Sequence, residues 1–218
     1  AAVRAAAAAA AGAGEALAQV MVDPLLVDGR KWDVGLYVVV TSASPLRVYV
    51  YDNVLLRFCT EPYAEPGAAG FGSEASFVVA DDYTPPWALP SLRPLYTRGL
   101  STKNVLRAHL KSRGVDPVAL FRAMERAVAE VLVANAPAMA AAQRARGPSA
   151  PATYFELFRF DFLLDSSARP WLAEVNQSPN LSAAHTRGLS PFFDRLAWSL
   201  VSLLGLRPGG HNHPGSYA

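Results

Sequence analysis

One stretch constrains the fold more than any other: Tyr154 to Asn180, YFELFRFDFLLDSSARPWLAEVNQSPN, where two β-forming runs flank a short polar break. The runs read as strands over Tyr154–Leu164 and Trp171–Asn176. Side chains alternate faces along a strand. On the first, Arg159 and Asp161 share a face, with Phe158, Phe160 and Phe162 on the other. On the second, Glu174 and Asn176 share a face, opposed by Trp171, Ala173 and Val175. A hairpin folded about a symmetric turn in Asp165–Pro170, centred between Ser167 and Ala168, sets Asp161 opposite Glu174 and Arg159 opposite Asn176. The apolar faces then meet on the far side.

Two carboxylates directly opposite one another on paired strands repel. A cation between them removes the penalty, and two carboxylates with an amide suit Mg²⁺, a hard ion that takes oxygen ligands. Asp161, Glu174 and Asn176 are therefore the candidate metal ligands. The spacing leaves two alternatives open: that a carboxylate pairs with Arg159 instead, or that a bulge shifts the register.

Upstream, Trp32–Thr41 reads as a strand, Ser42-Ala43-Ser44-Pro45 as a turn and Leu46–Tyr51 as a second strand. Asp52-Asn53 reads as a tight turn into a third strand, Val54–Cys59, completing an antiparallel meander. Lys31, Asp33 and Gly35 fall on one face at its start; a lysine there can reach a phosphate, the alternative being a strand-end lysine in solvent, which the residues alone favour. Arg57, between Leu56 and Phe58, needs an anionic partner from protein or ligand. Residues 61–99 read as a long Pro- and Gly-rich loop. Ser101 and Asp116-Pro117 are helix starts, the second opening an amphipathic stripe of Val118, Phe121, Met124, Val128, Val131 and Leu132. A last helix begins at Ser190-Pro191 and ends at Gly205. His109 and His185 stand alone and read as satisfied structural histidines. The fold class is thus α+β, an antiparallel sheet packed with helices.

Composition narrows the function classes. Of the 218 residues, 39 are alanine, seven of them unbroken from Ala5 to Ala11, so residues 1–18 read as a low-complexity segment and 207–218 as a flexible tail. A net charge of +2 with 17% charged residues gives no global pull toward nucleic acid or membrane. The single cysteine, Cys59, excludes an internal disulfide and reads as a core residue in a strand. Phosphate-loop, nucleophile-elbow and zinc-type spacings are all missing from the sequence.

Three segments together resemble the tubulin–tyrosine ligase-like family, whose catalytic fold is an ATP-grasp: Pro24–Tyr63 (PLLVDGRKWDVGLYVVVTSASPLRVYVYDNVLLRFCTEPY), Phe155–Ser182 and the last helix. The resemblance covers residues 19–206 and implies the C-terminal portion of that fold, its upstream lobe having no counterpart in these residues. It implies that Asp161, Glu174 and Asn176 hold Mg²⁺ and the ATP phosphates, that Lys31 and Asp33 correspond to the family's Lys-Phe-Asp motif, and that Arg57 faces the reacting phosphate and the amino-acid substrate. Gln19, Val20, Met21 and Val22 fall where the family's hinge strand passes the adenine. The implied activity joins a free amino acid to a carboxylate of tubulin or another acidic protein through an acyl phosphate, in the cytoplasm and at microtubules or cilia. A non-catalytic relative that binds nucleotide or microtubules is the alternative, and a ligase for small molecules a third reading. The segment departs from the family in two places. Gly35 stands where the pattern Lys-Phe-Asp-x-Arg has its arginine, and a His-Leu-Thr-Asn segment between the two motif blocks is missing.

Overall fold

The computed structural model describes residues 20–65, 67, 73–80, 82–145, 154–182 and 188–206. The alanine-rich start, Gln19, His185 and the tail lie outside them. Four strands, β1 (Trp32–Ala43), β2 (Leu46–Phe58), β3 (Glu156–Leu164) and β4 (Pro170–Gln177), form an antiparallel sheet in the order β2-β1-β3-β4. Helices α1 (Thr102–Ser112), α2 (Pro117–Ala145) and α3 (Ser190–Leu203) accompany it. This is the α+β architecture the sequence predicts.

The central strands carry apolar side chains on both faces, so the sheet is covered on both. One face presents Val34, Leu36 and Val38 of β1, Leu56 and Phe58 of β2, and Phe160 and Phe162 of β3. Against it lie Val105, Leu106 and Leu110 of α1 and Phe121, Met124, Val128 and Leu132 of α2. The opposite face carries Tyr37, Val39, Leu55 and Leu157 beneath Phe192, Phe193 and Leu196 of α3. Helix α3 covers only part of that face. Beyond Tyr37 toward the start of β1 the residues change from apolar to ionic.

Several sequence expectations are corrected. Asp52-Asn53 is not a turn, and the meander has two strands rather than three: β2 runs unbroken to Phe58, and the register skips between Leu36↔Val54 and Val38↔Val50. The extra residues bulge toward α1, where Asn53 Oδ1 accepts from the Lys103 backbone N–H at 2.9 Å and Asp52 pairs with Lys103 Nζ at 2.7 Å. A polar pair in a strand looks like a turn from sequence; here the same side chains serve a helix N-terminus instead. The expected loop over 61–99 contains short helical segments at Glu74–Phe77, Pro86–Ala88 and Arg93–Thr97. Val118 is exposed, and Leu120 takes its place in the buried stripe of α2. His109 is buried but its Nε2 has no hydrogen-bond partner among the described residues, so within them it is not the satisfied histidine expected. Cys59 is buried one residue beyond β2.

The predicted register of the β3–β4 hairpin holds at the site: Asp161 pairs with Glu174 and Arg159 with Asn176. The route to it differs. Nearer the turn the pairs are Phe162↔Leu172, Leu163↔Trp171 and Leu164↔Pro170, which centre the loop on Ser167 rather than between Ser167 and Ala168. A bulge at Ala173 then adds one residue to β4 and restores the expected partners. The apolar face of β4 does not close over a core, because Trp171 and Val175 are each 40% exposed on an edge strand. Trp171 instead donates from Nε1 to Asp165 at 2.8 Å and stacks beneath Arg169.

Phe160 is fully buried at the centre of the sheet. Its replacement by Ala is expected to lower the unfolding free energy by about 3–5 kcal/mol, against less than about 0.5 kcal/mol for Val118→Ala, in urea denaturation.

Candidate functional site

Four ionic side chains converge on the face that α3 leaves to them. β1 contributes Asp33, its neighbour β2 contributes Arg57 directly opposite, and β3 contributes Arg159 and Asp161. All four are 9% exposed or less, so each charge has lost most of its water and must be met by protein. Arg57 is the bridge. Its Nε and Nη2 donate to the two oxygens of Asp33 at 3.0 and 2.7 Å, and Nη2 donates again to Asp161 at 3.0 Å. The anionic partner that Arg57 requires is thus a pair of aspartates.

Asp161 receives more. Arg159 donates to it from Nε at 2.7 and 3.1 Å and from Nη2 at 2.8 Å, and Asn176 Nδ2 donates at 3.0 Å. The same Asn176 nitrogen donates to Glu174 at 2.9 Å, so one amide bridges the two carboxylates that the hairpin sets opposite each other. Pairing of a carboxylate with Arg159, left open by the spacing, is therefore what the structure contains.

Electrostatics follows from this geometry. Burial pushes the Asp33 carboxyl up to about 6, against the pull of Arg57. Burial also works against the charge of Arg57, yet Asp33 and Asp161 hold it above its usual range. Glu174 is exposed, and the hydrogen bond from Asn176 draws its carboxyl below the ordinary value. Tyr37 lies beside Arg159, its hydroxyl pushed up to about 12 by burial.

The remaining candidates lie elsewhere. Lys31 Nζ donates to the Phe77 carbonyl at 2.8 Å and sits over the Phe77 ring, outside the hydrogen bonds of the carboxylate cluster. Val20 and Met21 are exposed and outside any strand, and Val22 is half-buried. Two residues at the site were missed by sequence reasoning as site residues, Arg159 and Tyr37. The signal for Arg159 was available: a lone charge inside a Phe-rich strand, on the face of Asp161.

The donor set fits a hard divalent cation in kind. Glu174 Oε2 and Asn176 Oδ1 accept no hydrogen bond from the described residues, while Asp161 shares its oxygens with two guanidinium groups. Glu174 and Asn176 thus keep oxygens that could take a cation, whereas Asp161 could do so only if a guanidinium gave up one oxygen.

The family model described as "Tubulin-tyrosine ligase family" matches residues 17–209. The chain belongs to the tubulin-tyrosine ligase family. It is 36% identical over 186 residues to a probable tubulin polyglutamylase, ttll-15, of Caenorhabditis elegans, a match covering 84% of the chain and 35% of that protein. It is 30% identical over 161 residues to the tubulin polyglutamylase TTLL6 of Mus musculus, covering 73% of the chain and 20% of the relative. With the tubulin polyglutamylase TTLL5 of Homo sapiens the identity is 35% over 173 residues, covering 73% and 13%. The chain spans about a third or less of the length of these relatives. Among the described residues of this tubulin-tyrosine ligase family member, no helix is long and apolar enough to cross a membrane.

Arg57→Ala would leave Asp33 and Asp161 buried without their shared cation, and is expected to cost about 3–5 kcal/mol in urea denaturation. The folded Asp33 carboxyl keeps its proton to higher pH than the unfolded one. Its contribution to stability is therefore fully present below its ordinary value of 3.8 and lost as the pH rises through about 6. The stability of the wild type relative to Asp33→Asn is expected to fall between those limits and then level off, in denaturation curves across that range.

Proposed function

We propose that this chain is part of an ATP-dependent ligase that joins glutamate to carboxylates of tubulin tails. The observation that carries the reading is the convergence of Asp161, Glu174 and Asn176 through one bridging amide. Membership of the family supports the ligase class, and the relatives' description as tubulin polyglutamylases supports glutamate and tubulin as substrates.

In this reading Glu174, Asn176 and Asp161 hold Mg²⁺, which would neutralise charge on the phosphates. The residues Gln19–Val22 pass the adenine, and Lys31 leaves the Phe77 carbonyl to meet a phosphate. An oxygen of the acceptor carboxylate attacks the γ-phosphorus of ATP, the bond to ADP breaks, and an acyl phosphate forms. The amine of glutamate then attacks the acyl carbon, phosphate leaves, and the amine loses a proton as the amide forms. Arg57, rigidly held by Asp33 and still carrying Nη1, is placed to stabilise charge on the transferring group. The cytoplasm and microtubules are the places where such a substrate is met.

A second reading, a non-catalytic relative that binds nucleotide or microtubules, draws on one observation: Asp161 is already saturated by protein donors. Calorimetric titration of the full-length protein with Mg·ATP separates the site assignment from chance. Binding is expected in the wild type and its loss in both Asp161→Ala and Glu174→Ala; unchanged binding in both variants would sink the assignment. Incorporation of labelled glutamate into tubulin, dependent on Glu174, is expected of the ligase and excluded for the non-catalytic relative.

A further inference from the structure

Gly35 is the residue of β1 that lies directly opposite Asp161. A Cβ built there would meet Arg159 Cδ at 3.0 Å, Asp161 Oδ1 at 3.2 Å and Arg159 Cγ at 3.3 Å. The methylene stem of Arg159 thus lies in the room that a side chain at position 35 would take. Contacts at those distances make neighbours give way by a few tenths of an ångström, and here the neighbours are a buried ion pair, so a side chain at 35 competes with the Arg159 stem for one space.

Arg159 is also more than a counterion for Asp161. Arg57 and Asn176 already donate to that carboxylate, and Arg159 brings its total to five hydrogen bonds, where a carboxylate has about four lone-pair sites. Those bonds use Nε and Nη2, and Nη1 takes no part in them. On the flank of the guanidinium, the hydroxyl of the fully buried Tyr37 lies close enough to draw on its charge, though in no well-aligned hydrogen bond. A desolvated guanidinium that spends Nε and Nη2 on Asp161, and whose Nη1 has beside it only a poorly aligned hydroxyl, keeps a donor for a second anionic acceptor.

We propose that Arg159 is the oxyanion-binding arginine of this site, a ligand-contacting residue that β3 delivers into the space Gly35 leaves on β1. The proposal rests on the ligase reading and deepens it. The oxyanion is a phosphate of ATP or a carboxylate of the acidic acceptor, two sources of one chemistry. Asp161 orients the guanidinium by its Nε and Nη2, so that Nη1 makes the contact. Gly35 is then the complement of Arg159: the site has one place for an arginine stem, and the sequence fills it from the neighbouring strand.

The test compares full-length wild type with Arg159→Gly, Gly35→Arg and the exchanged double variant carrying both changes. Each is titrated calorimetrically with ATP, with adenosine and with a glutamate-rich peptide, and thermal unfolding checks the fold. Arg159→Gly is expected to weaken binding of ATP, or of the peptide, by about tenfold or more, with adenosine within about twofold of wild type. Loss for ATP identifies the phosphate as the partner, and loss for the peptide identifies the carboxylate. The exchanged variant is expected to recover most of what Arg159→Gly loses, and Gly35→Arg alone to bind worse than the exchange. Equal affinity of wild type and Arg159→Gly for both anions overturns the proposal. So does equal weakening for adenosine, or a folded exchanged variant that recovers nothing. Should Arg159→Gly fail to fold, Arg159→Gln, which keeps a donor over Gly35 without the charge, is judged by the same criteria. Wild-type protein that binds neither ATP nor peptide overturns the ligase reading itself, a result distinct from wild-type binding that ignores position 159.

Discussion

A single desolvated carboxylate organises this sheet. Asp161 is 2% exposed, and its oxygens are met by Arg57 from β2, Arg159 from its own strand and Asn176 from β4, with Gly35 of β1 directly opposite. All four strands thus have a residue committed to one point. A slip of one residue in any pairing would turn the committed side chain to the other face and leave a buried charge uncompensated. Apolar packing alone would not discriminate so sharply, because Val38 and Val39 of β1 are both buried, one on each face. The ion cluster therefore fixes register where the hydrophobic pattern is permissive, at the expense of desolvating four charges.

The bulge at Ala173 is the clearest sign of that priority. A symmetric hairpin would have reached the Asp161–Glu174 pairing without interrupting the ladder. The chain instead closes its turn tightly around Asp165, whose Oδ1 accepts from the backbone N–H groups of Ser167 and Arg169. That turn, left to itself, would put the second strand out of step by one residue. The bulge absorbs the difference, and the pairing at the site is kept.

This explains which parts of the molecule were legible in the sequence. Alternation along Phe158–Phe162 and along Trp32–Val40 follows from the pleat, so strands, faces and the facing carboxylates could be read directly. The demand of Arg57 for an anion followed from burial, and both aspartates answer it. What could not be read depended on which of two partners a polar side chain would take. Asp52 and Asn53 have turn chemistry, but the N-terminus of α1 offers them a better use. Arg159 was visible as a lone cation beside Asp161, yet its relation to Gly35 lies across two strands more than a hundred residues apart. Local patterns carry no information of that kind. Lys31 fails for the opposite reason: its position at the strand entrance was legible, but a long flexible side chain takes whichever acceptor is near, here the Phe77 carbonyl.

The two clusters on one face divide its labour in a way that bears on function. From Tyr37 outward the face is sealed by aromatic packing, with Tyr37 ring centroids 5.9 and 6.4 Å from those of Phe192 and Phe193 on α3. From Gly35 inward it is ionic. Tyr37 sits on the boundary, its ring in the apolar cluster and its hydroxyl beside Arg159. A boundary of this kind gives the charged groups rigid, poorly hydrated support on one side. Glu174 and Asn176, on the edge strand, remain reachable from solvent on the other. Groups held in that way need little reorganisation when charge arrives, which is the condition under which hydrogen bonds to an oxyanion contribute most. The buried half of the site is thus suited to orienting a ligand, and the exposed half to admitting one.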